Sequence, residues 1–178
     1  MYKIEMSLNI RTAKTDDVEQ LVKLINLAYR AQSDRSWTTE KAFVDGTRIT
    51  KEQLSRDLNQ SNFELLVGEN EQGSLVGCIG LTFDKSSVEI GTFAIDPTIQ
   101  NLGYGREMLN YVETYITQNY SSVRCLIMYV LDVRTELMAY YQRRGYQITG
   151  RTESYPVDAD VGQPLVPIQL IEMEKVIA

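Results

Sequence analysis

Between Phe93-Ala94-Ile95-Asp96-Pro97 and an apolar-periodic stretch that begins near Met108 lies Gln100-Asn101-Leu102-Gly103-Tyr104-Gly105-Arg106. Glycines placed where a strand gives way to a helix suit one chemistry above others, the gripping of a phosphate. The first amides of a helix have no acceptor within it and together carry about half a positive charge, so successive main-chain N–H groups can cradle a pyrophosphate. Glycine lets the oxygens come close. A Gly-x-Gly alone says little, since at about 7% glycine it arises roughly once by chance in a chain this long. Its place after a strand, with Gln100 three residues ahead of the first glycine, carries the weight. The Lys-Ser/Thr pair of a triphosphate-binding loop is missing, and Met108 stands where a dinucleotide-binding G-x-G-x-x-G would have its third glycine.

Other chemistries are excluded by what the chain lacks. It has no histidine, which removes Ser-His and Cys-His nucleophilic schemes and histidine-ligated metals. Its two cysteines, Cys78 and Cys125, sit far apart in apolar stretches, so neither a zinc-thiolate cluster nor a Cys-x-x-Cys pair is expected, and a reduced, cytoplasmic setting is. Cys125 opens an apolar run, where a free cysteine behaves as a small hydrophobe rather than a thiolate nucleophile. A net charge of -6 lacks the broad basic footprint of a nucleic-acid binder, allows a local basic pocket, and suits a cationic substrate. The longest apolar run, 125–131, is too short to cross a bilayer, and no apolar segment of a secretion signal follows Lys3 and Glu5. No membrane partner is expected.

The elements that must position such a turn can be read from periodicity. Thr15 ahead of Asp16 and Asp17 reads as an N-cap, and Val18, Leu21, Val22, Ile25 and Ala28 follow at helical spacing, giving a helix over about 15–31. Residues 32–49 are polar and irregular, a stretch suited to line a site. Thr50-Lys51-Glu52-Gln53 forms a capping box that opens a short helix to about Asn59. Residues 62–69, 75–84 and 87–95 are β-rich runs separated by hairpin-length turns. Asp96-Pro97 stops the third, and Met108, Leu109, Val112 and Ile116 restore a helical period to about Asn119. The run 123–131 reads as a strand buried on both faces, parallel to 87–95 because a crossover helix joins them. A helix over 134–144 ends at Gly145, and strands near 146–153 and 166–176 follow. The order β, α, α, three hairpin-linked strands, α, β, α, β, β predicts one domain over 1–178, a mixed sheet with helices on both faces.

With these elements in place, Q-x-x-G-x-G after Phe93–Pro97 resembles the acetyl-CoA loop of the GNAT N-acetyltransferase superfamily. The segment Leu137-Met138-Ala139-Tyr140-Tyr141-Gln142-Arg143-Arg144-Gly145-Tyr146 is similar to that family's later block, in which a tyrosine stands four residues before a glycine and an aromatic follows. The resemblance covers about residues 8–154 in element order and reaches motif level at about 87–106 and 123–146. It implies a GNAT-like acyl-CoA N-acyltransferase fold, α/β in the mixed α+β sense: a mostly antiparallel mixed sheet of about seven strands flanked by about four helices, with its central parallel pair splayed at the cofactor. It also implies acetyl-CoA as co-substrate and no metal. The main chain of Phe93, Ala94 and Ile95 would then pair with the pantetheine arm, whose amides can satisfy groups left open by diverging strands. The thioester would lie between Ile95 and Val130, and Gln100, Asn101, Leu102, Gly103, Tyr104, Gly105 and Arg106 would receive the pyrophosphate. Arg134 stands where many relatives carry an asparagine that contacts the cofactor, so that contact is not carried over.

The same resemblance assigns roles. Attack of an amine on a thioester releases a thiolate whose acid has a pKa of about 8.5, and a phenol of pKa about 10 can hydrogen-bond or protonate it. Spacing to Gly145 selects Tyr141; Tyr140 lies about 100° around the helix and cannot face the same point. An ammonium must lose its proton before it can attack, and Glu89, six residues before Ile95, resembles the glutamate that relays protons in histone-type relatives. Asp132 is a weaker alternative. Tyr29, Trp37 and Phe43 would line the acceptor site, with Asp34, Glu40 and Asp45 able to attract a cation. The expected activity is acetyl transfer to a primary amine by direct attack in a ternary complex, with a small-molecule amine favoured over the amine of a peptide N-terminus or lysine. A non-catalytic acyl-CoA-binding module and an unrelated phosphate-binding domain stay open as alternatives, and the last strands leave room for a homodimer.

Overall fold

Nine strands and four α-helices make up the computed structural model, which describes residues 7–30, 39–99 and 102–178. In chain order they are β1 (Asn9–Thr12), α1 (Val18–Arg30), β2 (Val44–Asp45), α2 (Lys51–Leu58), β3 (Phe63–Glu69), β4 (Leu75–Asp84), β5 (Ser87–Ile95), α3 (Tyr104–Asn119), β6 (Cys125–Leu131), α4 (Thr135–Arg143), β7 (Gln147–Ser154), β8 (Gln163–Pro164) and β9 (Gln169–Val176). Seven of the strands form one sheet in the order β1-β3-β4-β5-β6-β9-β7, while β2 and β8 pair in a separate ribbon. The sheet is antiparallel except where β5 meets β6. The crossover through α3 makes that pair parallel, as the spacing of the runs predicts. No helix among the described residues is long and apolar enough to cross a membrane.

Local chemistry explains most boundaries. At α2 the Thr50 hydroxyl accepts from the Gln53 amide at 3.2 Å, and the Gln53 side chain accepts from the Thr50 amide at 2.7 Å, a reciprocal cap. Thr15, by contrast, is not the cap of the first helix. A single turn of 3-10 helix, Thr15–Asp17, precedes α1, and Asp17 reaches back to accept from the Lys14 amide at 2.7 Å while Arg11 grips the same carboxylate. The expectation that the 123–131 run is buried on both faces is also corrected. Leu126, Met128 and Val130 are buried, whereas Cys125, Ile127 and Tyr129 are only half-buried. The helix layer over their face stops short of β6. The predicted final strand over 166–176 begins later, at Gln169, because the connection before it leaves the sheet to form β8.

Two hydrophobic layers sandwich the sheet. On one face α1 and α2 pack Leu21, Leu24, Ile25, Ala28 and Leu54 against Leu65, Val67, Cys78 and Ala94. On the other, α3 and α4 pack Met108, Leu109, Val112, Ile116 and Tyr141 against Leu66, Ile79, Leu81, Val88, Ile90, Leu126, Met128, Val130 and Met173. Alternation along β6 and β9 leaves Ile127, Tyr129, Glu172 and Glu174 on the α1 side of the sheet. Glu172 is buried there under donors from Tyr129, Thr149 and Arg151.

Two irregularities in β5 shape the centre of the sheet. Its register with β4 slips by one between Cys78 and Gly80, so that Ile79 faces both Thr92 and Phe93. Thr92 sits at this bulge with φ of 47°, an outlier for a β-branched residue that costs about 1–3 kcal/mol. The Cys78 thiol donates to the Thr92 carbonyl at 3.4 Å. On its other side β5 pairs with β6 only from Ser87 to Glu89. Both strands then run on to Ile95 and Leu131 without pairing to each other, which opens a wedge in the middle of the sheet.

Candidate active site

The wedge is the mouth of a cleft of about 80 Å³ that is open to solvent. Gly91, Phe93 and Ile90 line it from β5, Met128, Tyr129, Val130 and Leu131 from β6, Arg134, Leu137 and Tyr141 from the α4 side, and Tyr29 and Glu40 from the α1 side. Because Tyr141, Leu137 and Met128 belong to one face of the sheet and Tyr29 and Tyr129 to the other, the cleft passes through the sheet. The Asp96 amide donates to the Val76 carbonyl at 2.9 Å. Alternation then turns the main-chain groups of Ala94 toward β4 and those of Phe93 and Ile95 toward the gap. An extended molecule with amide groups can dock there as a surrogate strand.

Tyr141 is buried (7% exposed), with its ring edge-on to Tyr140 and Tyr146 at centroid distances of 5.4 and 6.0 Å. Its hydroxyl makes no hydrogen bond to any described residue. Burial pushes the phenol above its ordinary pKa, Tyr29 and Tyr140 push it further, and Arg134 opposes them. The group is therefore a proton-bearing O–H held in the cleft wall through neutral pH.

At the top of β5 the chain turns into α3 through Gly103, whose φ of 83° is left-handed and whose lack of a side chain leaves the helix uncapped. The first helix acceptor engaged is the Gly103 carbonyl, bonded by the Glu107 amide at 3.0 Å, so the amides of Tyr104, Gly105 and Arg106 precede the helix ladder. Among the described residues, a methyl group added at Gly103 would meet nothing within 4 Å, so glycine is required there by backbone conformation rather than by packing. Coenzyme A fits these features: amides without a partner among the described residues for a diphosphate, a gap for an amide-bearing arm, and a cleft for a thioester.

The α1 side is walled by charged side chains that hold one another. The Arg30 guanidinium donates to the Gly46 carbonyl at 2.7 Å, the Val161 carbonyl at 2.6 Å and Glu40 Oε2 at 3.1 Å. It thereby ties the end of α1 to the β2 ribbon and to the β7–β9 connection. That connection crosses over the α1 side as a strap: Gln53 donates to the carbonyls of Ala159 and Asp160, and Gly162 lies where a Cβ would be 2.6 Å from Val44. Arg134 (7% exposed) donates to the Thr39 carbonyl at 2.5 Å and to Glu136 at 3.3 Å. Arg48 stacks on the Tyr29 ring at 4.9 Å. Burial pushes the Tyr29 phenol up to about 12 against the opposing pull of Arg48.

Several residues named from sequence come together here: Tyr141, Tyr29, Phe93 and Glu40 all line the cleft. Others fall elsewhere. The side chain of Ala94 is buried under α1 and that of Ile95 under α3, so only their main chain is available, and Phe93 rather than Ile95 faces Val130 across the cleft. The Tyr104 side chain is core, while Leu102 and Arg106 are exposed beside the turn. Gln100, Asn101, Trp37 and Asp34 lie outside the described residues. Glu89 is exposed at the last paired position of β5, just below the wedge and outside the cleft wall. Although the residue as a whole is exposed, partial desolvation of its carboxyl group against the sheet raises the pKa, and Glu153 and Glu172 raise it further. Asp132 pins β6 to β9 through its bonds with Gln169, and Asp45 is exposed beside Lys41. Phe43 anchors the strap, its carbonyl accepting from the Leu165 amide. Cys125 sits at the far end of β6, its thiol pKa raised by burial and by Glu174. Tyr129 and Arg134 enter the wall although the sequence does not mark them as acceptor contacts; alternation from Met128 is the signal that could have found the first.

Comparison with known proteins agrees with this fold. The chain is 32% identical over 78 residues to the uncharacterized protein YdhI of Bacillus subtilis (strain 168), a stretch covering 44% of this chain and 46% of that relative, so the match spans about half of the relative's length. Its fold matches the ribosomal-protein-S18-alanine N-acetyltransferase of Escherichia coli with a TM-score of 0.70 at 13% identity, covering 97% of this chain and 95% of that one. It also matches spermidine N-acetyltransferase of Vibrio cholerae, solved in complex with CoA and spermine, with a TM-score of 0.69 at 16% identity over 95% of each chain. The model of the acetyltransferase (GNAT) family matches residues 20–146, and the chain belongs to that family.

Proposed function

We propose that the chain moves the acetyl group of acetyl-CoA to a primary amine, both bound at once, as a cytoplasmic enzyme. The observation that carries this reading is Tyr141, a buried residue whose hydroxyl has no protein partner among the described residues, in the wall of a cleft that perforates the sheet. The main chain of Phe93 and Ile95 holds the pantetheine arm, and the turn at 100–106 holds the diphosphate, with Arg106 adding charge. The amine enters from the α1 side, past Tyr29. Tyr141 donates its proton to the departing sulfur as the new N–C bond forms and the C–S bond breaks, regaining one from solvent. No thiolate nucleophile is needed.

The strap over the α1 side supports a small amine over a folded protein, because Arg30, whose partner Glu40 lines the cleft, and Gln53 hold it against the α1 layer. The proton of the incoming ammonium has two candidate acceptors, Glu89 just below the wedge and Glu40 in the wall. Incubation with acetyl-CoA and a panel of a polyamine, α-amino acids and an alanine-terminated peptide, read by intact mass, is expected to give products 42 Da heavier, roughly the mass of an acetyl group less a proton. Calorimetry is expected to show binding of CoA and none of ATP. Tight CoA binding with no acetylated amine would overturn catalysis in favour of a sensing module.

A further inference from the structure

Glu40 stands out among the titratable groups of the α1 side because its two oxygens are treated differently. Oε2 accepts from Arg30 at 3.1 Å, and Oε1 has no partner among the described residues. The side chain is 16% exposed and lines the cleft together with Tyr29, Tyr129 and Arg134. Arg30 in turn is fixed by the carbonyls of Gly46 and Val161, so the carboxylate is held in one orientation. A rigidly seated carboxylate with one free oxygen in a cleft wall is the arrangement a proton acceptor needs.

Resting on the acetyl-transfer reading above, we infer that Glu40 receives the acceptor ammonium and takes its proton, in preference to Glu89. One N–H proton of the ammonium passes to Oε1, the freed nitrogen lone pair attacks the thioester carbonyl carbon, the N–C bond forms and the C–S bond breaks. The sulfur leaves with the proton of Tyr141, and the second nitrogen proton is shed to solvent. In total one ammonium and one thioester give one amide, one thiol and one released proton.

The surroundings suit the role. Burial pushes the Glu40 carboxyl pKa up, while Arg48, Arg30 and Arg134 pull it down, and burial prevails. Arg30 from α1, Arg48 from the segment before α2, Arg134 at the start of α4, and the phenols of Tyr29 and Tyr155 are the groups that act on or beside it. A carboxylate whose pKa is raised takes a proton more readily than an ordinary one. Glu89 is exposed and stands below the wedge, where only a water chain could carry a proton to it.

The experiment compares wild type with Glu40→Gln, Glu40→Asp and Asp45→Asn, measuring kcat/KM for the best amine between pH 6 and 10 together with KM for acetyl-CoA. Glu40→Gln keeps an oxygen for Arg30 and is expected to lose about 10²-fold at pH 7. That gap should close toward pH 10, where a free amine no longer needs a base, with KM for acetyl-CoA unchanged. Glu40→Asp keeps the charge that answers Arg30, so it folds even if the glutamine variant does not, and withdrawal of its carboxylate should cost about tenfold. Asp45→Asn should behave as wild type. A Glu40→Asp enzyme at full rate, or a glutamine variant whose loss is the same at every pH, overturns the inference alone. A wild type that acetylates no amine overturns the acetyl-transfer reading and this one with it.

Discussion

Replacing Tyr141 by Phe removes one oxygen and nothing else that the fold uses. The ring keeps its edge-on contacts with Tyr140 and Tyr146, and the hydroxyl leaves no described hydrogen-bond partner behind. The stability change should therefore stay within about 0.5 kcal/mol, which for a chain of this size moves Tm by less than about 2 °C. The chemical cost should be far larger. A positioned general acid contributes about 10²–10⁴-fold, or about 2.7–5.4 kcal/mol of barrier, so kcat should fall at least 10²-fold while CoA affinity is unchanged. Because burial raises the phenol pKa, wild-type activity should not show a tyrosine limb until above pH 10. Steady-state kinetics with a thiol-trapping reagent, calorimetric CoA titration and a melting curve test the three parts. A rate within threefold of wild type, or a rate loss matched by a collapse in Tm, would refute the assignment of Tyr141 as the acid.

Gly103→Ala places a side chain at φ 83° where no atom of the described residues lies within 4 Å; the expected loss is about 1–2 kcal/mol of conformational strain, read from urea midpoints, together with weaker CoA binding by calorimetry. Arg30→Ala leaves Glu40 buried without its ion pair and strips the Gly46 and Val161 carbonyls of a donor; it should cost about 3–5 kcal/mol and expose the strap to proteolysis, so a variant as stable as wild type would count against the linchpin role. Arg11 and Arg151 hold Asp17 and Glu172 below their ordinary carboxyl range, so the stability they confer is present above the unfolded pKa near 4 and is lost as pH falls through the lower folded values. In Arg11→Ala, the drop in unfolding free energy between pH 7 and pH 3 should be smaller than in wild type, as measured by urea titration at each pH.

Most of the fold is legible in the sequence because period and punctuation agree. The three runs over 62–95 appear as β3, β4 and β5 within a residue of their expected ends, and the capping box at Thr50 is present as expected. Thr15 misleads because a threonine before two acids looks like a cap, whereas Asp17 is free to serve the Lys14 amide once Arg11 fixes it from β1. The ribbon of β2 and β8 is invisible to such reasoning: two residues on each side, over a hundred positions apart, carry no periodic signal. At the site, Tyr141 is readable from its spacing to Gly145. Glu40 is one of three acids in an irregular segment, and only the side chain of Arg30, ten positions earlier, distinguishes it.

Thr92 also governs which layer each half of β5 serves. Ahead of it, even-numbered Val88 and Ile90 point to the α3 layer; beyond it, even-numbered Ala94 points to the α1 layer and odd-numbered Ile95 to α3. The extra residue is a parity switch: absorbed into a regular ladder with every residue kept, it would turn the upper half of the strand inside out and offer Ile95 to the layer that Ala94 faces, whereas deleting it would leave both on their present faces.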